Sequence, residues 1–194
     1  MTRSLPPPDG ADRPVAERIR QLDGLLGRDR FAGVCCDLLA GADRTSYAQE
    51  LRYLAGNAFG DGDVPDPVSW QDYWLRTWGA RGLLHCWSDR ATDAVVAGLD
   101  DEHYRPAEMC LKVSAKYDVA GTGPGAARLA THDLPRVRSQ AVRTLGFVGD
   151  TEHVAVVRAA LDDADPVVGA QARRAWARMA RRLDLPALDP ERFT

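Results

Sequence analysis

Apolar residues recur along this chain at helical spacing, with short polar turns between the runs. The clearest case spans 133–165. Val137, Ala141, Leu145 and Val148 succeed one another in steps of three and four, which places them on one face of a helix. Asp133 stands just before Pro135. That pairing marks a helix start, because a carboxylate accepts free amide protons and proline needs no N–H partner in the first turn. Gly149 is placed to stop the helix at positive φ, and Asp150 to cap a second helix with the stripe Val154, Val157 and Leu161. Two such helices joined by a Gly-Asp turn cannot bury both stripes alone, so the pattern demands neighbouring copies.

Those copies are present. A shift of 62 residues lays Leu75–Asp101 on Val137–Asp163 without a gap. Arg76/Arg138, Arg81/Arg143, Leu83/Leu145, Val95/Val157, Ala97/Ala159, Leu99/Leu161, Asp100/Asp162 and Asp101/Asp163 are identical. A shift of 31 places Val137, Ala141, Arg143 and Leu145 on Val168, Ala172, Arg174 and Trp176. A weaker copy lies between Ala107 and Thr131, without the Gly-Asp turn. A period of roughly 31 residues with two helices per unit signals a helical solenoid.

The run Asp133, Val137-Arg138, Ala141, Leu145-Gly146, Gly149-Asp150, Leu161, Asp163, Asp165-Pro166 resembles a HEAT repeat of the short bacterial type, and the resemblance extends from Trp70 to Leu183. It implies an all-α fold, an α-solenoid of stacked antiparallel helix pairs whose second helices line a concave face. It also implies a binding scaffold, the most frequent role of HEAT repeats; a few are enzymes.

The expected architecture has roughly ten helices. Residues 1–11, with Pro6-Pro7-Pro8, read as a disordered tail. Residues 12–60 read as a divergent N-terminal helical cap, with Asp12 and Pro14 opening its first helix. The cap stripes are Val15, Ile19, Leu22 and Leu26, then Phe31, Val34, Cys35, Leu38 and Leu39, then Tyr47, Leu51 and Leu54. Ser46 with Gln49 has the spacing of a capping box. Residues 61–69 form a loop, 70–185 the repeats (70–101, 104–131, 133–163 and 166–183), and 186–194 a C-terminal tail.

Composition narrows the functional classes. The net charge is −3 and the isoelectric point about 5.8, so no global basic field draws nucleic acid. The 25 cationic residues include only two lysines, Lys112 and Lys116. This Arg/Ala/Asp/Gly bias is that of a GC-rich bacterial genome. No run of apolar residues is long enough to span a membrane, and the first ten residues have no signal-peptide core. Cys35, Cys36, Cys86 and Cys110 have no CxxC spacing and fall within helical apolar patterns, as reduced thiols of a cytoplasmic protein do.

Candidate chemistry is sparse. Asp61, Asp63 and Asp66 gather near glycines, but Pro65 breaks the alternation of a calcium loop and Asp72 stands where its glutamate would be. The run Gly121–Gly125 lacks the order and the preceding strand of a dinucleotide loop. His85, His103, His132 and His153 have no zinc-site spacing. No catalytic motif, metal site or cofactor is expected. Trp70, Trp74 and Trp78 recur at spacing four; Trp74 and Trp78 align with Arg136 and Gln140, positions that face solvent in the regular unit. Two accounts are open: a cap packed over them, or an exposed platform for a ligand.

The expected function is a protein–protein interaction scaffold that takes a partner protein or peptide, with Trp74, Trp78, Arg90, His153 and Arg158 as contact residues. The alternative is a HEAT-like DNA-binding protein or alkylbase DNA glycosylase using groove aromatics and arginines, which the net charge disfavours.

Overall fold

A computed structural model describes residues 4–9, 13–56 and 66–187. Among them all regular structure is helical, with ten α-helices and short 3-10 turns. The chain divides into two compact units, Met1–Met109 and Cys110–Thr194. The expected cap and the first hairpin therefore share a unit.

In the first unit, α1 (Val15–Leu26) and α2 (Arg28–Leu39) meet at Gly27, whose φ of 80° reverses the chain. Ile19, Leu22, Phe31, Cys35 and Leu38 are fully buried, as their stripes predict. α3 (Ala48–Ala55) buries Leu51, Tyr53 and Leu54. The Ser46–Gln49 capping box does not form. A 3-10 turn, Arg44–Tyr47, precedes α3, and the Asp43 carboxylate accepts from Thr45 N. Gln49 Oε1 instead accepts from Leu5 N at 2.6 Å.

Residues 4–9 of the proline tail have no helix and hydrogen-bond to α1 and α3. Asp9 N donates to Gln21 Oε1 at 3.2 Å, and the Tyr53 hydroxyl donates to Pro6 O. The expected cap Asp12 lies outside the described residues. Arg18, an unexpected buried charge, reaches Tyr53 O with Nε at 3.3 Å, where α3 has carbonyls to satisfy.

The first hairpin pairs α4 (Asp72–His85) with α5 (Thr92–Gly98). α4 turns Leu75, Gly79, Gly82 and Leu83 into the unit's interior. A Cβ on Gly79 would lie 2.6 Å from Cys35 O and 2.8 Å from Leu39 N, so the two helix backbones touch. α6 (Tyr104–Tyr117) comes next, and the division between the units falls within it.

The second unit holds α7 (Gly123–Leu129), α8 (Pro135–Val148), α9 (Val154–Ala159) and α10 (Pro166–Leu183). Val137, Ala141 and Leu145 are fully buried, and so are Val168, Ala172 and Met179. A Cβ on Gly146 would approach Ala175 Cα to 2.8 Å, which marks the α8–α10 contact. Asp165 caps α10, accepting from Val167 N at 2.8 Å.

Two cap expectations fail here. Asp133 gives its carbonyl to Arg138 Nη1 at 3.0 Å, while His132 Nδ1 accepts the Leu134 amide proton at 3.0 Å. Gly149 ends α8 at φ −70°, with no positive φ. Its lack of a side chain matters for space, since a Cβ would sit 2.5 Å from Leu145 O.

The two aligned hairpins share one polar clamp. Arg76 Nε and Nη2 grip Asp101 at 2.6 and 2.9 Å, and Arg138 grips Asp163 at 2.8 Å through each nitrogen. The same aspartates also hold the start of the next segment: Asp101 accepts from His103 N and Asp163 from Asp165 N, each at 2.8 Å. Two of the eight sequence identities thus encode one bidentate pair per hairpin.

Candidate binding site

The site is built on Trp74 and Trp78 of α4, beside the glycines on which α2 packs. Before the helix, Asp66 accepts from Val68 N at 3.1 Å, and Trp70 N donates to Asp66 O at 2.8 Å. Arg44 Nη1 then holds Trp70 O at 3.0 Å. α4 begins only at Asp72, so Trp70 does not share a helix with Trp74 and Trp78. The turn folds it against both. The Trp70 ring centroid lies 6.3 Å from Trp74 at 27° and 6.4 Å from Trp78 at 8°. All three rings are half-buried. α2 packs on the glycines of α4, and the indoles cover one another in part.

The cluster widens on one side. Tyr73 stacks on His103 at 3.6 Å and 10°, and His103 on Tyr104 at 4.8 Å. Burial among these rings pushes the His103 pKa down, against the pull of Asp101. The neutral ring therefore packs as an aromatic. Two cations lie over the indoles: Arg81 Cζ is 4.9 Å from the Trp78 centroid and Arg105 Cζ 5.7 Å from that of Trp74. The Trp78 Nε1 proton is buried without a hydrogen-bond acceptor among the described residues. Such an unmet donor costs about 1–3 kcal/mol and is relieved by any ligand carbonyl or carboxylate that reaches it.

The other expected contacts lie elsewhere. Arg90 is exposed, 3.5 Å from Asp29. Arg158 is exposed on α9. His153 is only 5% exposed, so it offers no surface to a partner. Its Nδ1 accepts the Asp150 amide proton at 3.0 Å, and a Cβ on Gly123 would fall 2.7 Å from its ring. The histidine is a helix-capping partner packed against α7. Arg81 was within reach of helical spacing, three residues past Trp78; Arg105 and His103 come from beyond α5, and no local pattern joins them to the tryptophans. Of the acidic loop, 57–65 lies outside the described residues. Among the described residues no group of His, Cys, Asp or Glu side chains could hold a metal ion.

Residues 124–190 match the family model for HEAT repeats. No curated protein and no solved structure matches the chain. The match covers α8, α9 and α10, and the Arg–Asp clamp of that stretch recurs between α4 and the end of α5. No helix among the described residues is long and apolar enough to cross a membrane. The family match over 124–190 and the paired-helix construction of the described residues together show an all-α fold of the HEAT-like α-solenoid class.

Proposed function

We propose that the chain is a protein–protein interaction scaffold whose specialised contact is the tryptophan face of α4. HEAT repeats commonly serve as interaction scaffolds. The observation that carries the reading is the unsatisfied Trp78 N–H within a cluster of half-buried, arginine-flanked indoles. Large aromatic and arginine side chains supply most of the energy at protein interfaces, and a buried donor gives direction to a peptide carbonyl. Trp74 and Trp78 would hold the partner segment. Arg90 and Arg158, each exposed in its own unit, would be further contacts of their respective hairpins. The test is a random peptide library displayed on phage and panned on the full chain, with Trp74→Ala as counter-selection. A consensus that binds the parent, alters its tryptophan fluorescence and loses the variant supports the reading. Peptides that bind both proteins equally, or no enrichment at all, refute it.

A further inference from the structure

We infer that the second unit carries a separate docking groove for an acidic peptide segment, at the C-terminal ends of α6, α8 and α10. A cavity of about 510 Å³ opens there, walled by Lys116, Arg178, Arg181 and Arg182, with Phe147 beside them and Asp118 as its one carboxylate. The charge is concentrated against the trend of the whole chain, which is −3. α8 and α10 contain eight arginines between them and no acidic residue. Among these side chains, Arg138 grips Asp163, Arg182 Nη2 donates to Gly149 O at the end of α8, and Arg178 lies over Phe147 at 4.6 Å. In that last contact the guanidinium carbon lies over the ring, and its remaining N–H groups can take a carboxylate.

The combination of an aromatic wall and convergent cations fits an acidic segment with an interspersed apolar residue. The carboxylates would meet Arg178, Arg181 and Lys116, and the apolar side chain would lie on Phe147. Nucleic acid fits less well. A phosphate backbone needs an extended cationic track, whereas this one is bounded by Asp118 in its wall and by exposed Asp150 and Glu152 past the end of α8.

The test titrates the full chain into a fluorescein-labelled Glu-Glu-Leu-Glu-Glu-Leu peptide and, separately, a labelled duplex oligonucleotide, reading anisotropy at low salt. The peptide is expected to bind, and the double substitution Arg178→Gln with Arg181→Gln to weaken it about tenfold. The paired control Arg173→Gln with Arg174→Gln removes the same charge from the same helix outside the groove and is expected to retain affinity. Thermal melts of both doubles verify folding. The inference fails if the peptide does not bind, if the groove double binds within twofold of the parent, if the control loses as much, or if the duplex binds more tightly than the peptide.

Discussion

Gly79→Ala places one methyl where α2 and α4 touch. Its Cβ would stand 2.6 Å from Cys35 O and 2.8 Å from Leu39 N, both backbone atoms. Ordinary carbon contacts begin near 3.4 Å, so α2 must retreat by roughly 1 Å. Such a gap forfeits a quarter to a half of the dispersion energy at each affected contact. Phe31, Cys35 and Leu38 lose packing along with the glycine's neighbours, since all three are fully buried on α2. Overpacking of this kind costs about 1–3 kcal/mol, against a helix-propensity gain of up to about 1 kcal/mol for replacing glycine. A net loss of about 1 kcal/mol lowers Tm by roughly 2–4 °C for a chain of this size. Gly33→Ala is the internal control. It sits in α2, is exposed, and has nothing within 4 Å of its added Cβ, so the propensity gain should stand alone and raise Tm. Both variants are measured by helical circular dichroism during heating and by urea titration. If Gly79→Ala melts at or above Gly33→Ala, the close backbone approach is wrong, and so is the orientation it gives the tryptophan face.

Further expectations concern the clamp, the core and the thiols. The Arg138 side chain, by hydrogen bonding, holds the Asp163 carboxyl below its usual range, so the stability from this pair is present above about pH 4 and drains as pH falls through the lowered folded value. Asp163→Asn should therefore flatten part of the acid limb of the Tm–pH curve; an unchanged limb argues against the clamp. Leu145 is fully buried, and Leu145→Asp should cost about 4 kcal/mol or more through an unpaired core charge; an unchanged melt would misplace that stripe. Burial raises the Cys35, Cys36 and Cys86 thiols above their ordinary values, so a thiol reagent at about pH 7.5 should label the native chain slowly and the urea-unfolded chain at once. Fast native labelling would contradict the packing of α2. Trp74→Ala should remove peptide binding at a modest cost in Tm, since the indole is half-buried and stacked on Trp70 and Tyr73; a folded variant that keeps the binding would refute the reading.

The part of the fold legible in advance came from periodicity. The whole α2 stripe, Ile19 and Leu22 of α1, Val137, Ala141 and Leu145 of α8, and Val168 and Ala172 of α10 are buried as their spacing requires, while Val15, Leu26 and Val148 at the helix ends are half-buried. The 62-residue alignment also held the clamp, visible only as unexplained identities at Arg76/Arg138 and Asp101/Asp163 until the side chains met. Caps were read less well. Asp133, Ser46 and Gly149 have the right types at the right places, yet His132, Asp43 and Arg182 take up the backbone groups concerned. Several side chains compete for the same few orphan groups, and proximity in sequence does not decide among them. The site was half legible. Trp74 and Trp78 announce themselves against their aligned partners, but Arg105 and His103 reach them through tertiary folding alone. His153 misled for the converse reason, since a polar residue in a turn can be spent wholly on its own backbone.

The clamp has a consequence for how such an array grows. In both hairpins it joins residues 25 apart, so each closes a short loop with contacts drawn only from within the hairpin. Local closure of this sort carries a small entropic cost and favours rapid, independent formation. A hairpin that brings its own fastener can be duplicated or inserted without asking its neighbours for a partner charge. The aligned positions in the copy at 104–131 are Ala107 and His132, which cannot make the pair, and the division between the two units falls in that copy. Duplicated modules thus come ready to close, each with its own Arg–Asp pair.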